Sequence, residues 1–347
     1  MRGANMTREQ KAIASMLRYR RAHGSAGELM FIRRFIIPLP GVATVANRDG
    51  DVAAYVLDVG AEAPSIAFVA HTDSVHGYNN PEPFQKVGFD AKRLEFYVPN
   101  GRECLGADDA AGCYVLLRMI AANVPGRYFF FRGEEVGGIG SSWVADNAPI
   151  LLAGISHAIQ FDRRGTGSVI TDMWAGRTCS DAFGLALCEA LGMGHTLDRT
   201  GSFTDVANLV ALVPECTNVS VGFMGEHSAR ETLDAEYLEA LADRCIDAFG
   251  SGASWPVVNV YEAPKPSKFE RWGVRWEEDI ETNPLALPSK CPACGAVDQT
   301  DAYGVCLECE FDSEHDDLGD WTPKGFADGE ELQLAADRYF ADDGGKL

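Results

Sequence analysis

The chain has 347 residues, 46% hydrophobic and 23% charged, a composition that excludes a disordered, collagen-like or fibrous protein. Its formal charge of −21 disfavours binding to nucleic-acid phosphates or anionic membrane surfaces. Residues 290–347 alone carry 15 acidic and 4 basic residues. Along the chain, residues 8–34 read as helix, with Ile13, Met16, Leu17 and Met30 set among charged residues. Asn47-Arg48-Asp49-Gly50 is a turn signal, and Val52–Val59 continues as a strand. Short apolar runs at Ile66–Ala70, Tyr128–Phe131, Ala158–Phe161 and Val219–Phe223 predict buried strands. Gly112–Ala122 and Leu233–Phe249 predict helices, the second with Leu233, Tyr237, Leu238, Leu241, Cys245 and Phe249 along one face. This alternation predicts an α/β fold, with a largely parallel sheet between helices.

No apolar run approaches the ~18 residues that a membrane span needs. The first 24 residues are charged and lack the apolar core of a signal peptide. Arg33-Arg34 lies too far in for a twin-arginine signal, and Pro38 and Pro40 interrupt the apolar run after it. A cytoplasmic protein is expected. Its ten cysteines then need a reading other than disulfides. Six of them, at 104, 113, 179, 188, 216 and 245, suit small core residues.

The other four, Cys291, Cys294, Cys306 and Cys309, form two C-x2-C pairs separated by eleven residues. Pro292, Gly295 and Gly304 fit tight turns, and four thiolates at this spacing predict a zinc ribbon holding one structural zinc. Prolines at 264, 266, 284 and 288 mark the approach to it. The predicted organisation is a catalytic domain over 1–262, a linker over 263–288, the ribbon over 289–312 and an acidic tail over 313–347, with one short helix at Glu330–Phe340. The acidic surroundings make DNA the weakest reading for the ribbon, leaving a protein partner or a stapled segment.

Four predicted strands run into residues of metal-ligand type. Phe68-Val69-Ala70 leads to His71-Thr72-Asp73, Phe129-Phe130-Phe131 to Glu134-Glu135, and Ile159-Gln160-Phe161 to Asp162. Val221-Gly222-Phe223 leads, four residues on, to His227, and Asp108-Asp109 opens the helix of Cys113, Leu116, Leu117 and Ile120. Ligands of open α/β sheets gather beyond the carboxyl ends of the strands. Parallel neighbours would therefore bring two histidines and at least four carboxylates onto one patch. So many carboxylates repel one another unless cations lie among them. A mixed His/carboxylate set suits a catalytic divalent ion, and six donors exceed the needs of one. Singly, each motif has a plainer reading: HxD as a surface pair, Glu134-Glu135 as a solvated loop, Asp108-Asp109 as a helix cap. Together, in this order, they favour the site. His23, His76, His157, His195 and His315 lack such company and read as ordinary histidines. Gly137-Gly138-Ile139-Gly140 lacks the third glycine and the lysine of a nucleotide loop.

These blocks resemble the co-catalytic dinuclear zinc exopeptidases (peptidase clan MH), over roughly residues 30–250. The resemblance rests on His71-Thr72-Asp73, Leu105-Gly106-Ala107-Asp108-Asp109-Ala110-Ala111-Gly112, Gly133-Glu134-Glu135-Val136-Gly137, Asp162 and His227-Ser228. It implies a three-layer α/β/α sandwich with a mixed, mostly parallel sheet. It also implies two divalent metals, zinc or alternatively manganese or cobalt, bridged by Asp108. His71 and Asp162 match the other ligands of one metal, Glu135 and His227 those of the second. Asp73 matches the acid behind His71, Glu134 the general base, and the Asp108–Asp109 bond is expected to be cis. Thr204-Asp205 resembles a Ser/Thr-Asp element of the family.

Only 64 residues separate Asp162 from His227, too few for the inserted domain of the two-domain relatives. The single-domain aminopeptidase type, acting on peptide substrates, is therefore expected. Two alternatives stay open: an amidohydrolase, carboxypeptidase or dipeptidase on the same site, which Arg163-Arg164 would suit by gripping an anionic group, and a peptidase-like binding protein acting through its zinc ribbon. For partners beyond the peptide substrate, the expectation is a protein at the ribbon or a homo-oligomer. Intact Glu134 argues against the binding protein.

Overall fold

A computed structural model describes residues 6–47, 50–60, 63–77, 82–99, 103–174, 176–258 and 260–261. The linker, the cysteine cluster, the acidic tail, His315 and the Arg48-Asp49 part of the turn lie outside the described residues.

Two helices open the chain, α1 (Arg8–Leu17) and α2 (Ala26–Phe35). Thr7 and Gln10 form a reciprocal capping box at the first, and Ser25 caps the second. The helical reading of 8–34 is met by two helices, because residues 18–25 leave the helix between them: Gly24 takes φ +71° and Tyr19 bridges to Phe84. The strands β1 (Ala43–Ala46), β2 (Val52–Val59) and β3 (Ile66–His71) follow, then the short hairpin β4 (Gly88–Asp90) and β5 (Glu95–Tyr97). Next come α3 (Ala107–Ala121), β6 (Gly126–Phe131), α4 (Ile139–Asn147), β7 (His157–Arg163), β8 (Ser168–Ile170), β9 (Asp172–Met173) and β10 (Gly176–Arg177). The chain continues through α5 (Asp181–Leu191), β11 (Thr196–Asp198), β12 (Glu215–Ser220), β13 (Phe223–Met224), β14 (Thr232–Asp234) and α6 (Ala235–Gly250).

Eight strands form one sheet in the order β1-β2-β6-β3-β7-β12-β8-β11. Its four central members, β6, β3, β7 and β12, run parallel, while β1, β2 and β8 join antiparallel to their inner neighbours. Alternation along the strands divides the core. Tyr128 and Phe130 of β6 face the cluster that holds Leu116, Leu241 and Phe249, whereas Phe129 and Phe131 face the one that holds Val144 and Val206. Helices therefore cover both faces of a mixed, mostly parallel sheet, the expected α/β architecture. A second, four-stranded sheet (β13-β14-β5-β4) stands beside it.

Two expected elements shift. The strand read over Val219–Phe223 is β12, which begins at Glu215 and ends at Ser220; Gly222 at φ +96° then turns the chain so that Phe223 joins the small sheet. The last helix begins at Ala235, because Asp234 caps it and Leu233 pairs with Phe96.

Gly112 of α3 sits where that helix crosses β7, and a Cβ there would overlap the Phe161 carbonyl oxygen. Gly112→Ala is expected to destabilise the fold by about 1–3 kcal/mol through overpacking. Urea denaturation of the metal-free chain measures this, and an unchanged midpoint would contradict it.

Candidate metal centre

Because β6, β3 and β7 are parallel neighbours, their carboxyl ends lie side by side. His71 ends β3, Asp162 lies near the end of β7, and Glu134-Glu135 follow β6. Asp108 enters from the non-helical start of α3 (φ −77°, ψ 104°), and His227 from the loop between β13 and β14, where it holds φ +59°. The peptide bond between Asp108 and Asp109 is cis.

Asp108 is the centre of the arrangement. Its Oδ1 lies 3.1 Å from His71 Nε2, and its Oδ2 lies 3.2 Å from His227 Nε2. Asp162 Oδ1 is 3.6 Å from the same His71 nitrogen, and Glu135 Oε2 is 3.0 Å from the His227 nitrogen. The two halves of one carboxylate thus each face a different histidine, and each histidine has a second carboxylate beside it. Glu134 lines the cleft with Asp108, Asp162 and His227 around a cavity of about 270 Å³.

The adjacent acids of α3 have different fates. Asp109 turns back into the protein, where its Oδ2 accepts the His71 N–H (3.1 Å) and its Oδ1 the Gly112 N–H (2.8 Å). Both its oxygens are taken by the backbone, although it stands near His71 and Asp162. Asp73 lies behind His71. The ring Nδ1 is 3.2 Å from the Asp73 carbonyl oxygen and 3.6 Å from its carboxylate, so an Nδ1–H tautomer leaves Nε2 free toward the cleft. The Asp73 carboxylate also accepts the N–H groups of Gly133, Glu134 and Glu135 (2.9, 3.2 and 3.2 Å), tying the loop after β6 to the end of β3. Asp162 Oδ2 accepts from Thr204 Oγ1 (2.7 Å) and Gln160 Nε2 (3.3 Å), and its N–H donates to Asn218 Oδ1 (2.9 Å). Asp205 is buried, with its Oδ1 accepting from Ser141 Oγ at 2.6 Å.

The electrostatics are those of an anionic cleft. Burial, then the charges of Asp162 and Asp205 against the opposing pull of His71, pushes Glu134 up to about 10. Burial and the Asp108 charge raise Asp162 to about 7. Burial also works against ionised Asp108, but hydrogen bonds to His227 and His71 hold it well below the usual range. The same contacts with Asp108 and Glu135 raise His227 to about 11.

These features fit a divalent cation. Donor atoms of His71, Asp108 and Glu135 lie within 4.8 Å of one another, and Glu135 Oε1 is buried with no hydrogen-bond partner among the described residues. Imidazoles and carboxylates are the donors that zinc and similar ions take. Arg163 donates to Thr200 Oγ1 (3.0 Å) and pairs with Asp198 (3.3 Å), while Arg164 pairs with Glu226 (3.0 Å). The five histidines read as ordinary include His76, His157 and His195, which bond within the protein to Ser74, Pro256 and Tyr237. Sequence reasoning did not find the supports Gln160, Asn218, Arg21 and Glu231; none carries a local motif, and except for Gln160, which donates to Asp162 two residues on, their partners are far away in the chain.

No protein-family model and no curated protein matches the chain by sequence. Solved structures do match in fold. The aminopeptidase PepT of Bacillus cereus ATCC 10987 superposes with a TM-score of 0.58 at 12% identity, over 71% of this chain and 98% of that one. A tripeptidase of Staphylococcus aureus subsp. aureus Mu50 gives 0.55 at 13%, over 70% and 97%. The TET1 peptidase of Pyrococcus horikoshii gives 0.50 at 15%, over 70% and 99%. At such identities the likeness is one of fold.

Proton competition should mark this cleft. Free of metal, it keeps His227 protonated at neutral pH, and a cation must displace that proton. Uptake of a divalent ion at pH 7 is expected to release about one proton or more, and affinity should fall as pH falls. Calorimetry in buffers of different ionisation enthalpy measures the release; none would mean that His227 is already neutral.

Proposed function

We propose that the chain is a metal-dependent aminopeptidase. The observation that carries this is the split carboxylate of Asp108, one oxygen toward His71 and the other toward His227. In this reading Asp108 would be shared by two divalent cations, His71 and Asp162 would complete one set of donors, and Glu135 and His227 would complete the other. Bound there, such cations supply Lewis acidity toward a carbonyl oxygen and lower the pKa of water. Zinc suits the donors, with manganese or cobalt as alternatives.

The chain's own groups do the rest. Asp73 orients His71 and holds the backbone of Glu134 and Glu135, so one carboxylate sets both the base and a donor. Glu134 accepts a proton from the attacking water at its carboxylate. As the carbon–nitrogen bond breaks, it returns that proton to the leaving amine. Cations in the cleft would bring Glu134 down from its raised value toward the range in which a base works.

Direction of attack follows from charge and space. The acidic cleft attracts an α-ammonium group. The stretch from Asp162 to His227 builds β8 to β13, α5 and a 3-10 turn at Asp205–Asn208, so among the described residues it contributes strands and short helices instead of a lid. Arg163 and Arg164 are each paired to a carboxylate of this chain, which weakens their claim on a substrate carboxylate. The fold neighbours bearing the names aminopeptidase and tripeptidase support the same reading. The proposal extends to a catalytic unit ending near 262, a zinc ribbon at Cys291, Cys294, Cys306 and Cys309, and a cytoplasmic location. For the last, the structure contributes that no described helix is long and apolar enough to cross a membrane.

Tetrapeptides with each end blocked in turn test the direction, read by mass spectrometry. Residues should leave from a free N-terminus, N-acetylation should abolish cleavage, and C-terminal amidation should matter little. Trimming of the acetylated peptide, or strict need for a free carboxylate, would move the chain to the amidohydrolase or carboxypeptidase reading.

A second expectation separates the two neighbouring glutamates. Glu134→Gln should keep the cleft metals and lose about 10²–10⁴ in turnover. Glu135→Gln should lower metal content by elemental analysis. The reverse pattern would exchange their roles.

A further inference from the structure

Two buried charges from opposite ends of the described chain meet around the backbone that carries Asp108. Arg21 lies between α1 and α2 and is fully buried; Glu231 immediately precedes β14 and is 2% exposed. Glu231 Oε2 accepts the Gly106 N–H at 2.9 Å, and its Oε1 accepts the Asp108 N–H at 3.0 Å. Arg21 Nη2 donates to the Gly106 carbonyl at 2.7 Å and reaches the Asp108 carbonyl at 3.5 Å. Its Nε donates to the Thr72 carbonyl at 2.9 Å, and its guanidinium lies 4.7 Å from the centre of the Phe31 ring. Among the described residues neither side chain forms an ion pair. The hydrogen bonds of both go to peptide groups, with Arg21 Nη1 buried and without a partner among the described residues.

The need for this arrangement is local. A helix leaves the N–H groups of its first turn without partners, and a Ser, Thr, Asp or Asn side chain at the N-cap ordinarily accepts one. The start of α3 is not helical: Gly106 has φ +71°, Asp108 (φ −77°, ψ 104°) and Asp109 (φ −118°, ψ 44°) lie outside helical geometry, and the regular turns that follow are capped by Asp109 Oδ1, which accepts the Gly112 N–H at 2.8 Å. A Cβ on Gly106 would clash with His76 Cε1 at 2.7 Å, so the packing of His76 and the positive φ together call for glycine. The N–H groups of Gly106 and Asp108, in this non-helical stretch, are left to Glu231, 125 and 123 residues away. Burying two charges carries a heavy desolvation cost, which charge-assisted hydrogen bonds offset only when they are well formed.

Each brace also belongs to one histidine. Arg21 joins the Asp108 backbone to Thr72, the residue after His71. Glu231 joins the same backbone to the segment that carries His227, four residues earlier. We propose that Arg21 and Glu231 are positioning residues. Arg21 sets the spacing between Asp108 and His71, Glu231 sets that between Asp108 and His227, and together they aim the two oxygens of Asp108 at the two histidines. The inference rests on the reading of Asp108 as a donor shared by two cations.

Cobalt(II) titration of the full-length, metal-stripped protein tests it, followed by visible absorbance and calorimetry. Wild type should take up two equivalents in the cleft, beyond any held by the ribbon cysteines. Glu231→Gln should weaken one equivalent by about 10–100-fold, the same one that Glu135→Gln weakens. Arg21→Lys keeps the charge but loses the fork that reaches two carbonyls at once. It should weaken the other equivalent, the one that Asp162→Asn weakens. Glu215→Gln is the matched control: Glu215 is a buried carboxylate at the far end of the sheet that accepts the N–H groups of Ser180 and Val258, and its loss should leave both equivalents unchanged. Thermal melting of each metal-free variant checks folding. Unchanged cobalt affinities would overturn the proposal, as would equal weakening of both equivalents, an equal effect of the control, or failure of both metal-free variants to fold. A wild-type cleft that takes up no cobalt would instead remove the reading beneath it.

Discussion

Repulsion among carboxylates is the constraint on which the centre of this molecule turns. Asp73, Asp108, Glu134, Glu135, Asp162 and Asp205 crowd the carboxyl edge of four parallel strands, and among the described residues no lysine or arginine side chain pairs with any of them. Like charges this close in a buried space favour protonation or a cation. The protein meets part of the demand itself. Asp73 receives three backbone N–H groups, Asp162 receives Thr204 and Gln160, and Asp205 receives Ser141. What it leaves for the cleft is Asp108, Glu134, Glu135 and the Oδ1 of Asp162, with two imidazoles whose Nε2 atoms both face Asp108. Neutralising every acid from within would leave nothing to attract a cation, and neutralising none would set the core against its own fold.

Topology turns that balance into geometry. Parallel strands place their carboxyl ends together, and each crossover helix begins beside the strand before it. The crossover from β3 to β6 brings α3 back over the sheet, and Gly112 allows it to lie directly on β7. The non-helical start of α3 then projects between the ends of β3 and β7, which is where Asp108 stands. Asp109, next in the chain, turns inward to bond the backbone of β3 and of its own helix. One acid serves the cleft because its neighbour anchors the turn.

Much of this was legible in the sequence, for a physical reason. Phe-Val-Ala, Phe-Phe-Phe and Ile-Gln-Phe are runs that only a buried strand accommodates, so the polar residues following them had to sit at strand ends. That placed His71, Asp73, Glu134, Glu135 and Asp162, while the helical pattern after Gly112 placed Asp108. The strand β12 was harder. Its residues Glu215, Thr217, Asn218 and Ser220 are all buried polar groups satisfied by distant partners, which alternation of apolar residues does not reveal. The small sheet of β4, β5, β13 and β14 is built from strands of two or three residues, shorter than any periodicity can register. Arg21 and Glu231 were invisible for another reason. Arg21 sits in a run of basic residues and Glu231 in a polar loop, and both read locally as solvated surface. Burial by segments 50 to 125 residues away gives them their meaning.

The separation of these partners bears on how the site holds together. His71, Asp108, Glu135, Asp162 and His227 span most of the described chain, and their supports come from still farther out. No short segment contains a workable part of the centre. The carboxylates are brought close by the pairing of the parallel strands, so their repulsion acts on a sheet held between both cores. The hydrogen bonds that hold Asp73, Asp109 and Asp162 therefore have two physical roles. They satisfy backbone groups at strand and helix ends, and they keep charged oxygens from relaxing apart in the time when no cation lies between them. A site built this way is preorganised by the fold, so a cation entering it meets donors already in place and has little of the protein left to order.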